Sequence, residues 1–237
     1  MFRINLADIV VEIDNRYSGV EDFCRGYKTI ATSPAFRVSV SYAEISSFRA
    51  NFYRPISEEE AETILVYRKI CSQIPPYRAF LFHSAFFTCH GYGIAVSAKR
   101  GTGKTTHLTR WREVYGDDVM IVNGDKPIFR FEQNRLFGYG SPWCGKEGLG
   151  TNTSAKLDAI LFYEQSSDGK TTLSRLTPQE AAPRMVEQVI YPADDGMTAL
   201  FADLLAQALK TVPCFLISAT PDKSAAQIAH DYLVGHL

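Results

Sequence analysis

One short stretch of the chain carries the residue types that bind phosphate groups. Residues 98–105, with the sequence AKRGTGKT, fit the phosphate-loop pattern with alanine in place of its first glycine. The two glycines let backbone amides turn inward around phosphate oxygens. The lysine is expected to reach the β and γ phosphates, and Thr105 to bind Mg²⁺; a glycine-rich turn of purely structural meaning is the alternative. The residues expected to bind ATP are Gly101, Thr102, Gly103, Lys104, Thr105 and Thr106.

A carboxylate is needed to complete the metal site. Residues 119–122 are apolar and predict a buried strand, and Asp125 lies just beyond its end, twenty-one residues after Lys104. A second metal-binding carboxylate is expected at such a position. The alternative is an aspartate in an ordinary turn made by Asn123-Gly124. We therefore predict Thr105 and Asp125 as the metal-binding residues.

The phosphate-binding stretch requires a strand before it and a helix after it. Residues 79–82, 85–89 and 92–97 are short apolar runs, spaced like neighbouring strands that lead into the stretch. After it, Leu108, Trp111 and Tyr115 follow the i, i+3, i+7 spacing of a helix with one apolar face. The sequence therefore predicts the strand–loop–helix order that this chemistry needs.

The rest of the chain supplies further alternating elements. Residues 2–53 read as short β-rich segments, and a capping-box pattern from Ser57 to Glu60 predicts a helix that ends before Pro75-Pro76. Thr220 is the predicted N-cap of the last helix, with Pro221 at its first position. The other predicted elements are a hairpin at 128–131 and 136–137, strands at 157–163 and 214–218, and helices near 178–189 and 197–210.

These elements predict an α/β fold in which one principal, mixed β-sheet is flanked by helices. Residues 1–56 are expected to form a small β-rich region packed on a main domain of residues 57–237. The phosphate-binding stretch then lies in the main domain.

Composition excludes several classes of protein. The chain has 237 residues, with 25 Lys and Arg against 26 Asp and Glu, so no broad basic face for nucleic acid is expected. No apolar run approaches the length of a membrane span, and Asp8 interrupts the region where a signal peptide would be apolar. We expect a cytoplasmic protein without nucleic-acid or membrane partners.

The cysteines and two histidines carry no recognisable ligand pattern. The five cysteines include no C-x-x-C pair, which predicts reduced and mostly buried thiols. His90 lies in a predicted turn and His107 on the helix after the phosphate-binding stretch. Both are expected to have structural or surface roles.

Several segments around the phosphate-binding stretch match a pattern known from other proteins. They are residues 82–84, 91–93, 97–107 with Trp111, 123–127 and 139–146. Together they resemble the superfamily of HPr serine kinases and ATP-dependent phosphoenolpyruvate carboxykinases, most closely its small bacterial, HPr-kinase-related members. The resemblance covers about residues 62–165 and implies a phosphate-loop kinase fold.

The resemblance also implies a role for His83. In that superfamily a histidine on the strand before the phosphate loop faces the metal and the transferring phosphoryl group, and His83 matches it. Without the resemblance, a satisfied core histidine is the better interpretation. The superfamily has two adjacent acidic residues after the second strand, but here Gly124 replaces the first and Asp125 remains. The general base is therefore open, and His83 is available for that role if Asp125 binds Mg²⁺.

One lysine on the substrate side completes the predicted catalytic set of His83, Asp125 and Lys146. Residues 138–153 are glycine-rich and read as a mobile loop. Lys146 is expected to neutralise the γ phosphate or an acidic acceptor. A solvated lysine is the alternative.

The expected function is that of an ATP- and Mg²⁺-dependent phosphotransferase. It would move the γ phosphate to a hydroxyl, with serine expected, on a protein, peptide or small molecule. A nucleotide-binding regulatory module of the same fold, with weak catalysis, is the alternative. Carboxykinase activity is disfavoured because those enzymes are much longer, and the resemblance to HPr kinases implies association into homo-oligomers.

Overall fold

The computed structural model describes residues 1–99, 101–192 and 194–237. Within them the chain has the predicted α/β class, but it forms three β-sheets instead of one principal sheet. No helix in these ranges combines the length and apolar character that crossing a bilayer requires. The helices are α1 (Ser18–Phe23), α2 (Tyr42–Ala50), α3 (Glu58–Gln73), α4 (Lys104–Tyr115), α5 (Pro178–Val186), α6 (Thr198–Thr211) and α7 (Ser224–Val234).

The largest sheet has six strands and is covered on both faces. Phe87 and Ile94 point into a core shared with α4 and α7, whereas Phe86 and Ala95 point into a second core shared with α5 and α6. This alternation is the period-two pattern of a buried strand. In spatial order the strands are β12 (Thr172–Leu176), β13 (Cys214–Ala219), β11 (Ala159–Gln165), β6 (Tyr92–Ala98), β5 (Ala85–Cys89) and β7 (Val119–Asn123).

Strand direction brings three chain segments to one edge of this sheet. Strand β5 runs antiparallel to both of its neighbours, β6 and β7. Ala85 pairs with Val96 near the end of β6, and Phe86 pairs with Asn123 at the end of β7. The start of β5 therefore lies beside the ends of β6 and β7.

A second, antiparallel sheet packs against the central one. Phe129 of this sheet contacts Phe86 of β5, with ring centroids 5.4 Å apart. The predicted hairpin at 128–137 is confirmed and supplies its two middle strands. In spatial order the strands are β10 (Ser154–Lys156), β9 (Arg135–Tyr139), β8 (Ile128–Glu132) and β4 (Ala79–Leu81).

The N-terminal residues contain more helix than predicted. Residues 42–50, read as part of a β-rich region, form α2 because the side chains of Ser41 and Glu44 satisfy each other's backbone amides. This capping box is the signal that the β interpretation missed. The strands of this region form the third sheet, and they are β1 (Phe2–Leu6), β2 (Ile9–Asp14) and β3 (Phe36–Ser39). They share one apolar core with α3 and β4, and the division of the chain at residue 56 stays a prediction.

Helix α3 begins where predicted, but only half of its predicted capping box forms. The Ser57 hydroxyl accepts a hydrogen bond from the Glu60 amide at 3.0 Å. The Glu60 carboxylate instead forms an ion pair with Arg54. A charge-assisted bond to a guanidinium is stronger than a bond to a backbone amide, which explains the exchange.

The last helix begins later than predicted. Thr220 is not its N-cap, because α7 begins at Ser224. The Asp222 carboxylate accepts hydrogen bonds from the Thr220 hydroxyl and, at 2.9 Å, from the Ser224 amide. A carboxylate that accepts from the amide two residues on is typical of a turn, and it delays the helix.

Candidate functional site

The glycine turn, residues 101–103, joins the end of β6 to the start of α4. Gly101 and Gly103 have φ angles of +82° and +107°, a region that residues with a Cβ rarely adopt. Gly103 is the N-cap of α4. The first amides of a helix have no partner within it, so this helix start offers hydrogen-bond donors and a positive dipole end to an anion. The predicted strand–turn–helix order is present.

Lys104, the first residue of α4, forms an ion pair beside the glycine turn. Its Nζ lies 2.9 Å from Asp125 Oδ1. The Lys104 side chain is 11% exposed and that of Asp125 is 21% exposed, so water screens the pair only partly. Two residues predicted from different motifs therefore meet in the structure.

His83 joins this pair from a position that differs from the predicted one. It lies between β4 and β5, and not on the strand that enters the glycine turn. Its Nε2 is 2.8 Å from Asp125 Oδ1, and its Nδ1 is 3.2 Å from Gln188 Oε1. An ionised carboxylate only accepts hydrogen bonds, so Nε2 carries a hydrogen in this arrangement.

The backbone around Asp125 is held by a buried asparagine. Asn123 Oδ1 accepts hydrogen bonds from the amides of Asp125 and Lys126 at 2.9 and 2.7 Å. The Ser84 amide donates to the Asp125 carbonyl at 3.1 Å. The turn at Asn123-Gly124, considered as the alternative to a metal site, is thus present, and it orients Asp125 toward His83 and Lys104.

Lys126 belongs to the cluster but was missed by sequence reasoning. Its Nζ lies 2.7 Å from Asp125 Oδ2, the carboxylate oxygen that Lys104 does not contact. The sequence does contain one signal for Lys126, since this residue directly follows the predicted metal-binding aspartate. Gln188 was missed too, because no sequence pattern connects the segment after α5 to His83.

Electrostatics keep this cluster charged. Burial by itself would raise the pKa of Asp125, but the hydrogen bond from His83 and the charges of Lys104 and Lys126 outweigh it and hold that pKa well below its usual range. Burial lowers the pKa of Lys104, and the negative charge of Asp125 offsets part of this effect. Asp125 is therefore an anion that two lysines neutralise.

His83 lies where two cavities meet. A cavity of about 300 Å³ is lined by the glycine turn, Lys104, Thr105, Asp125 and His83. A second cavity, of about 390 Å³, also includes His83 and has aromatic walls that include Phe52 and Trp143. Trp143 is fixed there by stacking on Tyr67, with ring centroids 4.1 Å apart. One cavity thus offers phosphate-binding groups and the other an apolar surface, with His83 between them.

The other predicted site residues are less closely grouped. Thr105 is half-buried and lines the same cavity as Lys104, whereas Thr106 is exposed. Thr102 lines a different cavity beside Tyr163. Lys146 is exposed and forms no ion pair within the described residues, although it lines a larger cavity of about 540 Å³ that also contains Asp125.

The glycine at position 124 stands in a crowded place. A Cβ on Gly124 would lie 3.1 Å from the Leu149 carbonyl oxygen and 3.2 Å from the Cys144 carbonyl oxygen. The Gly124 amide also donates to the Leu149 carbonyl at 2.7 Å. The segment from Cys144 to Leu149 therefore occupies the space that an acidic side chain would need. Hydrogen bonds from Thr151 to the Ile121 and Val122 carbonyls of β7 also hold part of the loop that was predicted to be mobile.

The donor set of the first cavity suits a hard cation. The Thr105 hydroxyl and the Asp125 carboxylate are oxygen ligands of the kind that Mg²⁺ prefers. Both Asp125 oxygens already accept hydrogen bonds from Lys104, Lys126 and His83. These three bonds use three of the about four acceptor positions of a carboxylate, so one position on Oδ2 remains for a cation, and a second opens if a lysine moves away.

Comparison with known proteins finds similarity to solved structures but not at the level of sequence families. No protein-family model matches the chain, and no curated protein matches it. Among solved structures, the HPr(Ser) kinase/phosphatase from Coxiella burnetii has a TM-score of 0.40 and 10% sequence identity, over 66% of this chain and 89% of that chain. Similarity at this level assigns neither a family nor an activity, and function must be inferred from the residues of the site.

Asp125→Asn should lower the free energy of unfolding by about 2 kcal/mol at neutral pH, because asparagine cannot neutralise the two lysines. A carboxyl whose pKa is depressed by folding stabilises the folded state above its unfolded pKa of about 3.9, and this contribution is lost as pH falls. The difference between wild type and variant should therefore shrink below about pH 4. Urea unfolding across this range measures it. Asp203→Asn, on an exposed face of α6, is the control, and a difference independent of pH would contradict the assignment.

Gly124→Asp should destabilise the protein and should not create a second metal-binding carboxylate. The new side chain would meet two carbonyl oxygens, so we expect a loss of about 1–3 kcal/mol in urea unfolding. Gly124→Ala separates the steric cost of the Cβ from the repulsion of the carboxylate, and it should lose less. Equal stability of wild type and Gly124→Asp would show that the segment from Cys144 to Leu149 gives way freely.

Proposed function

We propose that the protein is an ATP- and Mg²⁺-dependent phosphotransferase that moves the γ phosphate to a hydroxyl group. One observation carries this proposal: Lys104 and His83 both donate hydrogen bonds to Asp125 beside a left-handed glycine turn at a helix start. Helix-start amides with an adjacent lysine suit a polyphosphate, and the carboxylate suits its cation. The histidine adds a group that can exchange a proton.

Nucleotide would bind in the cavity along the glycine turn. The amides of the turn and of the first residues of α4 would receive the phosphate oxygens, and the predicted contacts of residues 101–106 follow from this position. The Lys104 ammonium would leave Asp125 for the β and γ phosphates. Thr105 and Asp125 would then hold Mg²⁺, whose chemistry when bound is the neutralisation of phosphate charge.

The acceptor would approach from the aromatic cavity, because His83 is the residue that both cavities share. In the transfer, the acceptor oxygen forms a bond to the γ phosphorus while the bond from that phosphorus to the β–γ bridging oxygen breaks, leaving ADP. His83 would accept the hydroxyl proton at Nδ1, because Nε2 already carries a hydrogen toward Asp125. The Gln188 Oε1 atom beside Nδ1 only accepts hydrogen bonds, so the Gln188 side chain would have to turn over or move away before Nδ1 could accept a proton.

Two lysines are available for the charge that develops during transfer. Lys126 already contacts Asp125, so it lies within the site without any rearrangement. Lys146 is on an exposed turn that lines the larger cavity, and it would have to turn inward to reach a phosphate. Lys126 is therefore the better candidate for charge neutralisation, and the role of Lys146 stays a prediction.

A nucleotide-binding regulatory module is the second candidate. It is favoured by the crowding at Gly124, which excludes an acidic residue at that position, and by the three hydrogen-bond donors that already occupy the Asp125 carboxylate. Incubation with γ-labelled ATP, Mg²⁺ and cell extract separates the two. Label on a serine-containing acceptor, with a mass gain of about 80 Da for one HPO₃, supports the phosphotransferase. Tight nucleotide binding without transfer supports the regulatory module.

Lys104→Ala should weaken binding of Mg²⁺–ATP by a factor of about 100 and abolish transfer, because one desolvated charge contact to the phosphates is lost. Isothermal titration calorimetry measures the affinity. Lys170→Ala removes the same charge from an exposed turn and should bind normally. Near-normal affinity in Lys104→Ala would show that the glycine turn does not hold the triphosphate.

His83→Ala should lower kcat far more than it lowers nucleotide affinity, by a factor of about 10²–10⁴, because proton transfer is lost while the phosphate contacts remain. Single-turnover transfer measures the first quantity and calorimetry the second. His83→Gln keeps a polar side chain without the ability to accept a proton, and it should be as slow. Equal losses in rate and affinity would instead make His83 a structural residue.

A further inference from the structure

A cluster of metal-ligand side chains lies at the edge of the central sheet away from the glycine turn. Cys89 ends β5, and His90 begins the two-residue turn to β6. His230, on α7, reaches the same place although it is far away in sequence. The Cys89 thiol sulfur and one ring nitrogen from each histidine all lie within 4.8 Å of one another. Strand β6 separates this cluster from the glycine turn by about 20 Å.

One ring nitrogen of His230 lacks a hydrogen-bond partner. His230 Nε2 is buried and has no hydrogen-bond partner within the described residues. The other ring nitrogen, Nδ1, lies 3.3 Å from the Asp231 carboxylate. In a neutral imidazole, a carboxylate that receives Nδ1–H leaves a lone pair on Nε2, and metal-binding histidines are commonly held by a carboxylate in this way. A bound cation would satisfy this buried atom.

A carboxylate that could serve as a fourth ligand lies next to His90. Asp118 Oδ2 lies 3.7 Å from His90 Nδ1. Ligand atoms around a tetrahedral zinc ion lie about 3.3–3.6 Å apart, so the atoms of Cys89, His90 and His230 have to approach one another by up to about 1.5 Å to enclose one. Asp118 lies outside that group of three, so its side chain has to turn toward the other two ligands as well. The ring of Tyr115 packs against both histidines, with centroids 5.4 Å from His90 and 4.7 Å from His230, and it shields one side of the cluster.

The turn between β5 and β6 positions His90 in the cluster. His90 has a φ angle of +48° and Gly91 one of +86°, as in the two-residue turns that match the twist of a hairpin. Asparagine, aspartate and glycine are favoured at the first of these positions, so a histidine there is a costly choice for a purely structural turn. This turn places the His90 imidazole next to the buried Cys89 thiol and opposite α7.

We propose that Cys89, His90 and His230, with Asp118 as the fourth ligand, bind one Zn²⁺ ion that ties α7 to the β5–β6 hairpin. One thiolate, two imidazoles and one carboxylate are a ligand set suited to zinc, whereas Mg²⁺ and Ca²⁺ take oxygen ligands. The ion is structural, because the protein supplies all four ligands. This site is separate from the nucleotide cavity, and the proposal does not depend on phosphotransfer.

The test uses cobalt as a spectroscopic probe of the full chain. Protein stripped of metal with EDTA and exchanged into metal-free buffer is titrated with Co²⁺. We expect a thiolate-to-cobalt charge-transfer band and the visible absorption of tetrahedral cobalt, saturating at one ion per chain and displaced by Zn²⁺. No charge-transfer band, or octahedral cobalt alone, would overturn the proposal.

Matched variants locate the site. Cys89→Ser should abolish the charge-transfer band, and His230→Gln should weaken cobalt affinity at least about tenfold. Two control variants should bind cobalt as wild type does. Cys144→Ser changes the most exposed cysteine, and His236→Gln changes a histidine just after the end of α7. A band that survives in Cys89→Ser, or is lost in Cys144→Ser, would overturn the assignment.

Thermal unfolding supplies a readout that remains if one variant folds poorly. Zn²⁺ should raise the Tm of wild type, because an ion that binds only the folded state stabilises it. The increase should vanish in His230→Gln and persist in His236→Gln. An equal increase in both variants would show that the ion binds elsewhere, and would overturn the proposal.

Discussion

Three side chains donate hydrogen bonds to one carboxylate, that of Asp125. Lys104 comes from the start of α4, Lys126 from the residue after the aspartate, and His83 from the link between β4 and β5. A largely buried carboxylate is stable only when such donors replace its water. The cluster therefore fastens separate chain segments together, and it holds each of them where a phosphate and a cation would need it.

Strand direction explains why these segments meet. Strand β5 runs opposite to β6 and β7, so its beginning lies beside their ends. His83 precedes β5, the glycine turn follows β6 and Asp125 follows β7. A parallel β5 would have carried His83 to the other edge of the sheet, about 15 Å away. The same reversal sends Cys89 and His90 to that other edge, where they meet α7.

The sequence predicts the local features of this molecule better than the contacts between segments that are distant in sequence. The glycine spacing, the strand before it and the apolar face of α4 depend on neighbouring residues, and these predictions are confirmed by the structure. Asp125 was selected because it follows a strand, and it does lie beside Lys104. Gln188, the three separate sheets and the approach of His230 to Cys89 depend on contacts between distant segments. No periodicity encodes those contacts, so they could not be read from one chain.

The two tryptophans of the chain lie beside different sites. One is at the aromatic cavity next to His83, and the other is near the cluster that contains His230. Trp143 stacks on Tyr67 in the aromatic cavity. Trp111 is fully buried, donates its indole N–H to His107 and packs with its ring 6.2 Å from that of His230. Intrinsic fluorescence thus contains two separable signals. With Trp111→Phe the emission reports events near His83, and with Trp143→Phe it reports events at the opposite end of α4, so the protein carries its own pair of optical sensors.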